Sequence, residues 1–579
     1  MRYFAVATDY DGTLAADGKV AAPTVEALER LRRSGRRVVL VTGRLLEDLQ
    51  QVFPRLDLID RVVAENGAVV WTPTSNELQI LEEPPPPRFV EALRARGVRP
   101  LSIGHVIVAT REPHEDEVLE AIRSLGLELH VEFNKGAVMV LPAGVTKRTG
   151  LSVALERMGL SLHNVVGVGD AENDHALLAA CECSVAVANA LDSVAERADW
   201  VTASPRGAGV AELVDRLLED DLASLAPALA RHRVCIGEAP GGEKVTFEPY
   251  GETVLVAGPS GTGKTAIATA LVERIGARGY QMCIVDPEGD HAQEEDVAVV
   301  GCADRAPSVA EVVGLLDHPR RSVAVTLLAV PLPDRPRWFG SLLSRVQDLR
   351  AAVGRPHWVV VDEAHHVLPA AREDATLALP KRIGPALLVT VHPERVARAV
   401  LDEVDVVITT PDSAAETLAA FARLTRRPMP ELPAPAEVGH APARSPGGAS
   451  LVWRVRDRVA GLVEVAPARG ALLRHKRKYA HGDVGEDKSF FFRGPRGALN
   501  LRAQNLVLFM QIADGVDDET WNHHLRAGDY SRWFGSAIKD DDLVDEARRV
   551  EEEGRRGLNA AETRRRMRDA IGNRYTLGE

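Results

Sequence analysis

Two short segments carry residues that could do phosphate chemistry. Asp9-Tyr10-Asp11-Gly12-Thr13 sets two carboxylates one residue apart at a glycine turn. Such carboxylates repel one another unless a hard cation lies between them, which points to Mg²⁺ on oxygen ligands; a calcium-type loop or a plain turn would also carry this motif. A carboxylate so placed can attack phosphorus and split a difficult hydrolysis into two steps. The second segment runs from Gly258 through Pro259, Ser260, Gly261, Thr262 and Gly263 to Lys264 and Thr265. Its glycines let successive backbone N–H groups converge on a nucleotide phosphate, with Lys264 reaching the β/γ-phosphates and Thr265 holding Mg²⁺.

Both segments need a strand behind them. Phe4–Thr8 is a short apolar run that ends at Asp9, and Glu252–Ala257 is another that ends at Gly258. Arg37–Val41 and Asn164–Val168 repeat the pattern, each closing on a polar or glycine-rich turn. Buried strands alternating with amphipathic helices predict parallel sheets covered by helices, with ligand crevices at the strands' carboxyl ends. The fold class expected is a multidomain α/β protein. Residues 1–220 form a Rossmann-like domain with a small αβ insert over about 70–140, and 235–425 a RecA-like α/β domain. Residues 426–468 form a linker with short strands, and 470–579 a small, mainly helical region.

Further pieces follow Asp9 in order. Val41-Thr42-Gly43-Arg44 ends a strand with a hydroxyl, Lys147 heads a helix, and Gly169-Asp170-Ala171-Glu172-Asn173-Asp174 ends another strand. This set resembles the haloacid dehalogenase superfamily of phosphatases, in its Cof-type branch, over about 215 residues. The resemblance implies that Asp9 is the nucleophile and that Asp11 protonates the leaving alcohol and then activates water. Thr42 and Lys147 would hold the phosphoryl oxygens. Asp170, with Asp9 and Asp11, would bind Mg²⁺, supported by Asn173 and Asp174. The insert would be a cap, and its small size suits a small phosphorylated metabolite, of sugar phosphate or phosphoglycolate type. Tyr10 replaces a commoner aliphatic residue and is expected to point away from the chemistry.

In the second region His357–Asp362-Glu363 reads as a Walker B strand, Asp362 for the Mg²⁺ shell and Glu363 to polarise the attacking water. An adjacent Glu favours hydrolysis of ATP over transfer of its phosphate, and a kinase-type lid is not evident. With Ile284-Val285-Asp286-Pro287-Glu288-Gly289-Asp290, the order resembles the HerA/FtsK-type ATPases. That resemblance implies Asp286 and Glu288 near the hydrolysis centre, Ala386–His392 as a sensor strand, and a hexameric ring with Arg395 or Arg398 as a trans-acting arginine. Surface salt-bridging is the alternative for both arginines. His365 and His366 are expected to cap the strand end.

The formal net charge of -13, with 26% charged residues, argues against a chain coated for nonspecific DNA binding, though nucleic acid stays a candidate partner through the ATPase resemblance. No apolar run of about 18 residues suggests a spanning helix, a signal peptide is not expected before Asp9, and the five cysteines read as buried reduced thiols. A cytoplasmic protein is expected. In the last region, Arg474–Lys478 reads as a solvated basic cluster, and Trp521, Tyr530, Trp533 and Phe534 as the core of a small helical unit suited to protein interaction.

Overall fold

The computed structural model describes residues 1–575 except 135, 260–261, 288–296, 371–382, 434–448, 467, 469–478, 480–488, 496, 498 and 539. Ser260, Gly261, Glu288 and the Arg474–Lys478 cluster therefore lie outside the described residues. Two large sheets, both in the first of two compact units, account for the chemistry-bearing segments.

The first sheet contains β1 (Ala5–Thr8), β2 (Arg37–Val41), β3 (Arg61–Ala64), β4 (Val69–Thr72) and β5 (Glu77–Ile80). A four-stranded antiparallel cap sheet follows: β6 (Ser102–Ile103), β7 (Val108–Arg111), β8 (Leu129–Asn134) and β9 (Ala137–Pro142). The chain then returns to the first sheet for β10 (Val165–Gly169), β11 (Cys183–Ala186) and β12 (Trp200–Val201). The order is β12-β11-β10-β1-β2-β3-β4-β5, parallel from β12 to β3. β1 is buried along its whole length because helices cover both faces, which is why its sequence is apolar without alternation. The order reverses at β1, so a crevice opens beyond its carboxyl end. The cap begins later than the sequence suggests: β4 and β5 extend the core sheet as a hairpin, and the insert proper opens at the helix Pro87–Ala95. It is tethered by Glu65, a fully buried carboxylate that accepts the backbone N–H groups of His105, Val106 and Ile107 at 2.9, 2.8 and 2.9 Å. Gly104 is required there, since a Cβ on it would lie 2.6 Å from the Glu65 carboxyl carbon.

The second sheet is made from β13 (Val234–Glu238), β14 (Lys244–Phe247), β15 (Thr253–Ala257), β16 (Met282–Asp286), β17 (Val297–Val300), β18 (Ser322–Thr326), β19 (Trp358–Val361), β20 (Ala386–Thr390), β21 (Val406–Thr409), β22 (Ala449–Arg454) and β23 (Gly461–Glu464). Its order is β14-β13-β23-β22-β21-β15-β20-β19-β16-β18-β17. The stretch from β21 to β17 is parallel, and β15, β20 and β19 are consecutive neighbours. The sheet does not stop near 425: β22 and β23 join it antiparallel and meet β13, so 426–468 contributes two strands of this sheet besides a connection. The strands of both sheets belong to one compact unit, whereas Thr265–Glu273, most of the helix after β15, groups with the second.

The second unit includes the region from Ala466 onward. Its core gathers Phe490, Phe492, Phe509, Trp521, Tyr530, Trp533 and Phe534 between helices that include Leu506–Gly515, Asp518–Ala527 and Asp541–Arg555. Cys181, Cys183 and Cys283 are buried free thiols, but Cys302 is exposed and Cys235 half-buried, which corrects the expectation of five buried ones. Among the described residues no helix is long and apolar enough to cross a membrane.

Candidate active site

The first crevice is built by three strand ends and one helix start. Asp9 is the residue after β1, 5% exposed, and its backbone N–H donates to the Val168 carbonyl at 2.9 Å. Lys147 opens the helix Lys147–Arg157, whose N-terminus is fixed by reciprocal hydrogen bonds between Thr146 and Thr149. That start aims the lysine inward: Nζ donates to Asp9 Oδ1 and to Asp174 Oδ1, both at 2.6 Å, with Lys147 itself 1% exposed. Asp174 is pinned by its other oxygen, which accepts the N–H groups of Asp170 (2.9 Å) and Ala171 (3.0 Å). Thr13 Oγ1 donates to Asp170 Oδ1 at 2.8 Å.

Asp9, Asp170 and Asp174 lie close enough to share a cation, with one ligand oxygen from each within 4.8 Å of the others. Because Asp174 already serves Lys147 and two backbone N–H groups, Asp9 and Asp170 are the better-disposed ligand pair. An oxygen-only donor set of this kind suits Mg²⁺. Asn173 flanks the cluster; its Nδ2 donates to Asn66 Oδ1 at 3.4 Å, and its buried Oδ1 has no hydrogen-bond partner among the described residues, as expected of an acceptor meant for a hydrated ion. Asp11 is not part of the cluster. Its carboxylate accepts from Arg44 Nε and Nη2 at 2.5 and 2.7 Å and is 40% exposed, on the solvent side of the crevice. Thr42 is buried after β2, with its Oγ1 accepting the Arg44 N–H at 3.1 Å. Tyr10 is fully buried and donates to the Gly18 carbonyl at 3.0 Å, but its ring lies 5.5 Å from the Arg44 guanidinium that holds Asp11, so it backs the crevice rather than pointing away from it.

Three participants went unassigned in the sequence: Arg44 on Asp11, Asn66 beside Asn173, and Glu132 of cap strand β8, which accepts from Asn66 Nδ2. Only Asn66 left a local trace, as the middle of a Glu-Asn-Gly turn with φ 56°.

Electrostatics follow from three carboxylates around one ammonium. Burial pushes the Asp9 carboxyl up to about 7 despite the attraction of Lys147. Burial alone would lower Lys147, but Asp174 and Asp9 more than reverse it, so the lysine stays charged. A carboxyl raised in the folded state stabilises the fold below its ordinary value of 3.8, and that contribution is lost as pH rises through about 7. Without divalent cations, Asp9 is therefore expected to lower Tm between those pH values. Mg²⁺ at about a hundred times its Kd should add about 2.7 kcal/mol at neutral pH. Calorimetry of Asp9→Asn checks both: the variant should lack this part of the pH dependence and most of the Mg²⁺ gain.

The second crevice lies beyond β15. Gly258 has φ 152° and Gly263 φ 92°, and Lys264 and Thr265 open the helix Lys264–Ala277. Lys264 Nζ donates to the Pro259 carbonyl of its own loop at 2.6 Å, and Thr262 Oγ1 donates to the same carbonyl at 2.9 Å. Burial lowers the Lys264 pKa, while Glu363 and Asp362 are close enough to oppose that shift. Asp362 follows β19 and accepts the Glu363 N–H at 2.9 Å. Glu363 takes a left-handed backbone, φ 42°, and its carboxylate lies 3.4 Å from His365 Nδ1. His365 Nδ1 is also 3.1 Å from Thr390 Oγ1 at the end of β20, so this histidine ties two strand ends together. Asp286 is buried at the end of β16. His392 pairs with Glu394 at 2.9 Å and Arg398 with Asp402 at 3.4 Å, contacts within their own surface segment, while Arg395 is exposed.

The first crevice thus defines a hydrolase class in which a carboxylate at a strand end works beside a buried lysine and a Mg²⁺-type cluster. The comparisons fix the family. A profile for haloacid dehalogenase-like hydrolases matches residues 6–94 and 99–214. A phosphoglycolate phosphatase of Methanothermobacter thermautotrophicus is 31% identical over 224 residues, 37% of this chain and 98% of the relative. Phosphoglycolate phosphatase 2 of Saccharolobus solfataricus is 32% identical over 220 residues, 37% of this chain and 91% of the relative. A haloacid dehalogenase-like hydrolase of Bacteroides thetaiotaomicron is similar in structure at 20% identity, covering 37% of this chain and 99% of that one, with a TM-score of 0.34. Through its N-terminal module, this chain belongs to the haloacid dehalogenase-like hydrolases.

Proposed function

We propose that the N-terminal module hydrolyses a small phosphomonoester through an aspartyl-phosphate, and that the second α/β region binds and hydrolyses ATP. The observation that carries the first part is the Lys147 ammonium held 2.6 Å from both Asp9 and Asp174. It keeps one Asp9 oxygen oriented and supplies positive charge where phosphoryl oxygens gather negative charge. An Asp9 oxygen bonds to phosphorus as the P–O bond to the leaving alcohol breaks, and Asp11 gives that alcohol its proton. A water then attacks phosphorus, Asp11 takes its proton, and the Asp9 carboxylate is released with phosphate. Arg44 holds Asp11 at the mouth as a carboxylate, so Asp11 has to leave that pair to carry the proton it gives the alcohol and later takes from water. Mg²⁺, when bound by Asp9 and Asp170, would supply charge neutralisation at the phosphoryl group.

The relatives' names support phosphoglycolate as the substrate class, and the small cap would also admit a sugar phosphate. The test is phosphate release from 2-phosphoglycolate and a set of sugar phosphates, with and without Mg²⁺. Turnover of at least one of them, dependent on Mg²⁺, is expected; turnover of none would overturn the reading.

For the second region the support is the strand–loop–helix around Gly258–Thr265, with Asp362 and Glu363 two strands away in a parallel sheet. Glu363 would polarise water for attack on the γ-phosphate. A nucleotide-regulated phosphatase is the companion reading, favoured because both sheets belong to one compact unit. A DNA-moving ring has no such support.

A further inference from the structure

Neither proposed reaction uses Glu182, a fully buried acid of the first module. Glu182 is 0% exposed and stands just before β11, at the amino end of the first sheet, away from the Asp9 crevice. Its carboxylate accepts from Arg2 at 2.6 Å, from His163 Nδ1 at 2.7 Å and from the Tyr280 hydroxyl at 3.1 Å. Tyr280 belongs to the second module, two residues before β16. Burial alone would raise the Glu182 carboxyl; His163, His232 and Arg2 more than reverse that and hold it well below the ordinary carboxylate range.

His163 is the link. Its Nδ1 faces the Glu182 carboxylate, and its Nε2 lies 2.9 Å from the Arg278 carbonyl of the second module. Through its two ring nitrogens His163 thus bridges a carboxylate of the first module and a carbonyl of the second. The ring stacks on Tyr280 at 3.8 Å, and the edge of His357, the residue before β19, meets it at 5.4 Å. His357 Nδ1 accepts the Gln281 N–H at 2.8 Å, so β16 and β19 are tied to each other at this end. Arg355 Nη2 adds a bond to the Gly159 carbonyl at 2.6 Å, and Asn164 Nδ2 one to the Tyr250 hydroxyl at 3.0 Å.

The two sheets therefore abut through the amino ends of their strands. Their catalytic carboxylates stand at the opposite ends: Asp9 and Asp170 after β1 and β10, Asp286 and Asp362 at the ends of β16 and β19. Each of these strands is four or five residues long, which spans about 13–17 Å. A ligand cannot pass from one crevice to the other across this packed joint, but a displacement of β19 reaches His163, just before β10, through the His357 ring.

We propose that nucleotide binding at the second crevice is transmitted to the phosphatase crevice through this joint, from Asp362 along β19 to His357, across to His163, and along β10 to Asp170. The inference rests on the reading of Gly258–Thr265 as a nucleotide site, and its test separates the two. Hydrogen exchange followed by mass spectrometry is run on the full chain, with and without Mg²⁺ and a non-hydrolysable ATP analogue, for wild type, His163→Gln and Glu182→Gln. In wild type the analogue is expected to slow exchange in peptides spanning the Gly258–Thr265 loop, residues 278–286 and residues 162–171, by about fivefold in the last. His163→Gln, which can keep only one of the two bridging bonds, should retain protection of the loop while losing it in 162–171. Glu182→Gln should do the same if it folds, and the milder His163 variant decides if it does not. Protection of the loop with no change at 162–171 in wild type would overturn the proposal, as would a His163→Gln response equal to wild type. No protection of the loop would remove the nucleotide site and the proposal with it.

Discussion

Asp9→Asn is expected to cut phosphatase turnover by about 10⁴-fold or more, with little change in KM. The amide has the shape of the carboxylate and can still accept from Lys147, so the crevice should persist, with Lys147 anchored on Asp174 at 2.6 Å. What disappears is the nucleophile: an amide oxygen does not form the acyl phosphate that water can then open. Steady-state kinetics at saturating Mg²⁺, on whichever phosphomonoester is turned over best, read the effect directly. Asp11→Asn should behave differently. It removes a proton donor rather than the attacking atom, so its loss of about 10²–10⁴-fold should shrink when the leaving group needs no proton, as with p-nitrophenyl phosphate. Equal losses for both leaving groups would move the effect of Asp11 from the leaving alcohol to the water-activating second step, and no loss with either would contradict both roles given to Asp11. Activity in Asp9→Asn within tenfold of wild type would refute the aspartyl-phosphate route itself.

Much of the phosphatase crevice was legible because its parts are local. Asp9, Thr42 and Asp170 each follow an apolar strand, and Lys147 follows a threonine that caps a helix, so type and order sufficed. The contacts that tune the crevice were not legible because they join residues far apart: Arg44 with Asp11 across 33 positions, Asn66 with Glu132 across 66. The cap boundary was placed too early because the β4–β5 hairpin has the same short-strand pattern as the insert; only pairing with β3 assigns it to the core sheet. β22 and β23 looked like fragments of a linker because their partners, β21 and β13, precede a proline-rich connection or lie more than two hundred residues upstream. The joint at Glu182 left no trace in sequence, since a lone buried glutamate before a strand has no spacing signature. Its partners are residues 2, 163 and 280, and only the fold gathers them.

Glu363→Gln is expected to lower ATP hydrolysis by about 10²–10⁴-fold while leaving ATP affinity nearly intact, whereas Lys264→Ala should abolish binding itself. Lys264 now rests on the Pro259 carbonyl, a contact a γ-phosphate would replace with a charge-assisted one, so its loss removes ground-state affinity. In the proposed reaction Glu363 would act on water, which an amide orients but cannot deprotonate. The backbone makes the case sharper. A glutamate at φ 42° occupies a region that costs an L-residue about 1–3 kcal/mol and is tolerated where function demands it. Glycine relieves that strain at the same place. Glu363→Gly should therefore unfold no earlier than wild type in a thermal scan, yet hydrolyse ATP no better than Glu363→Gln. A variant that is both less stable and fully active would show the glutamate to be a structural residue, and the attacking water would need another base.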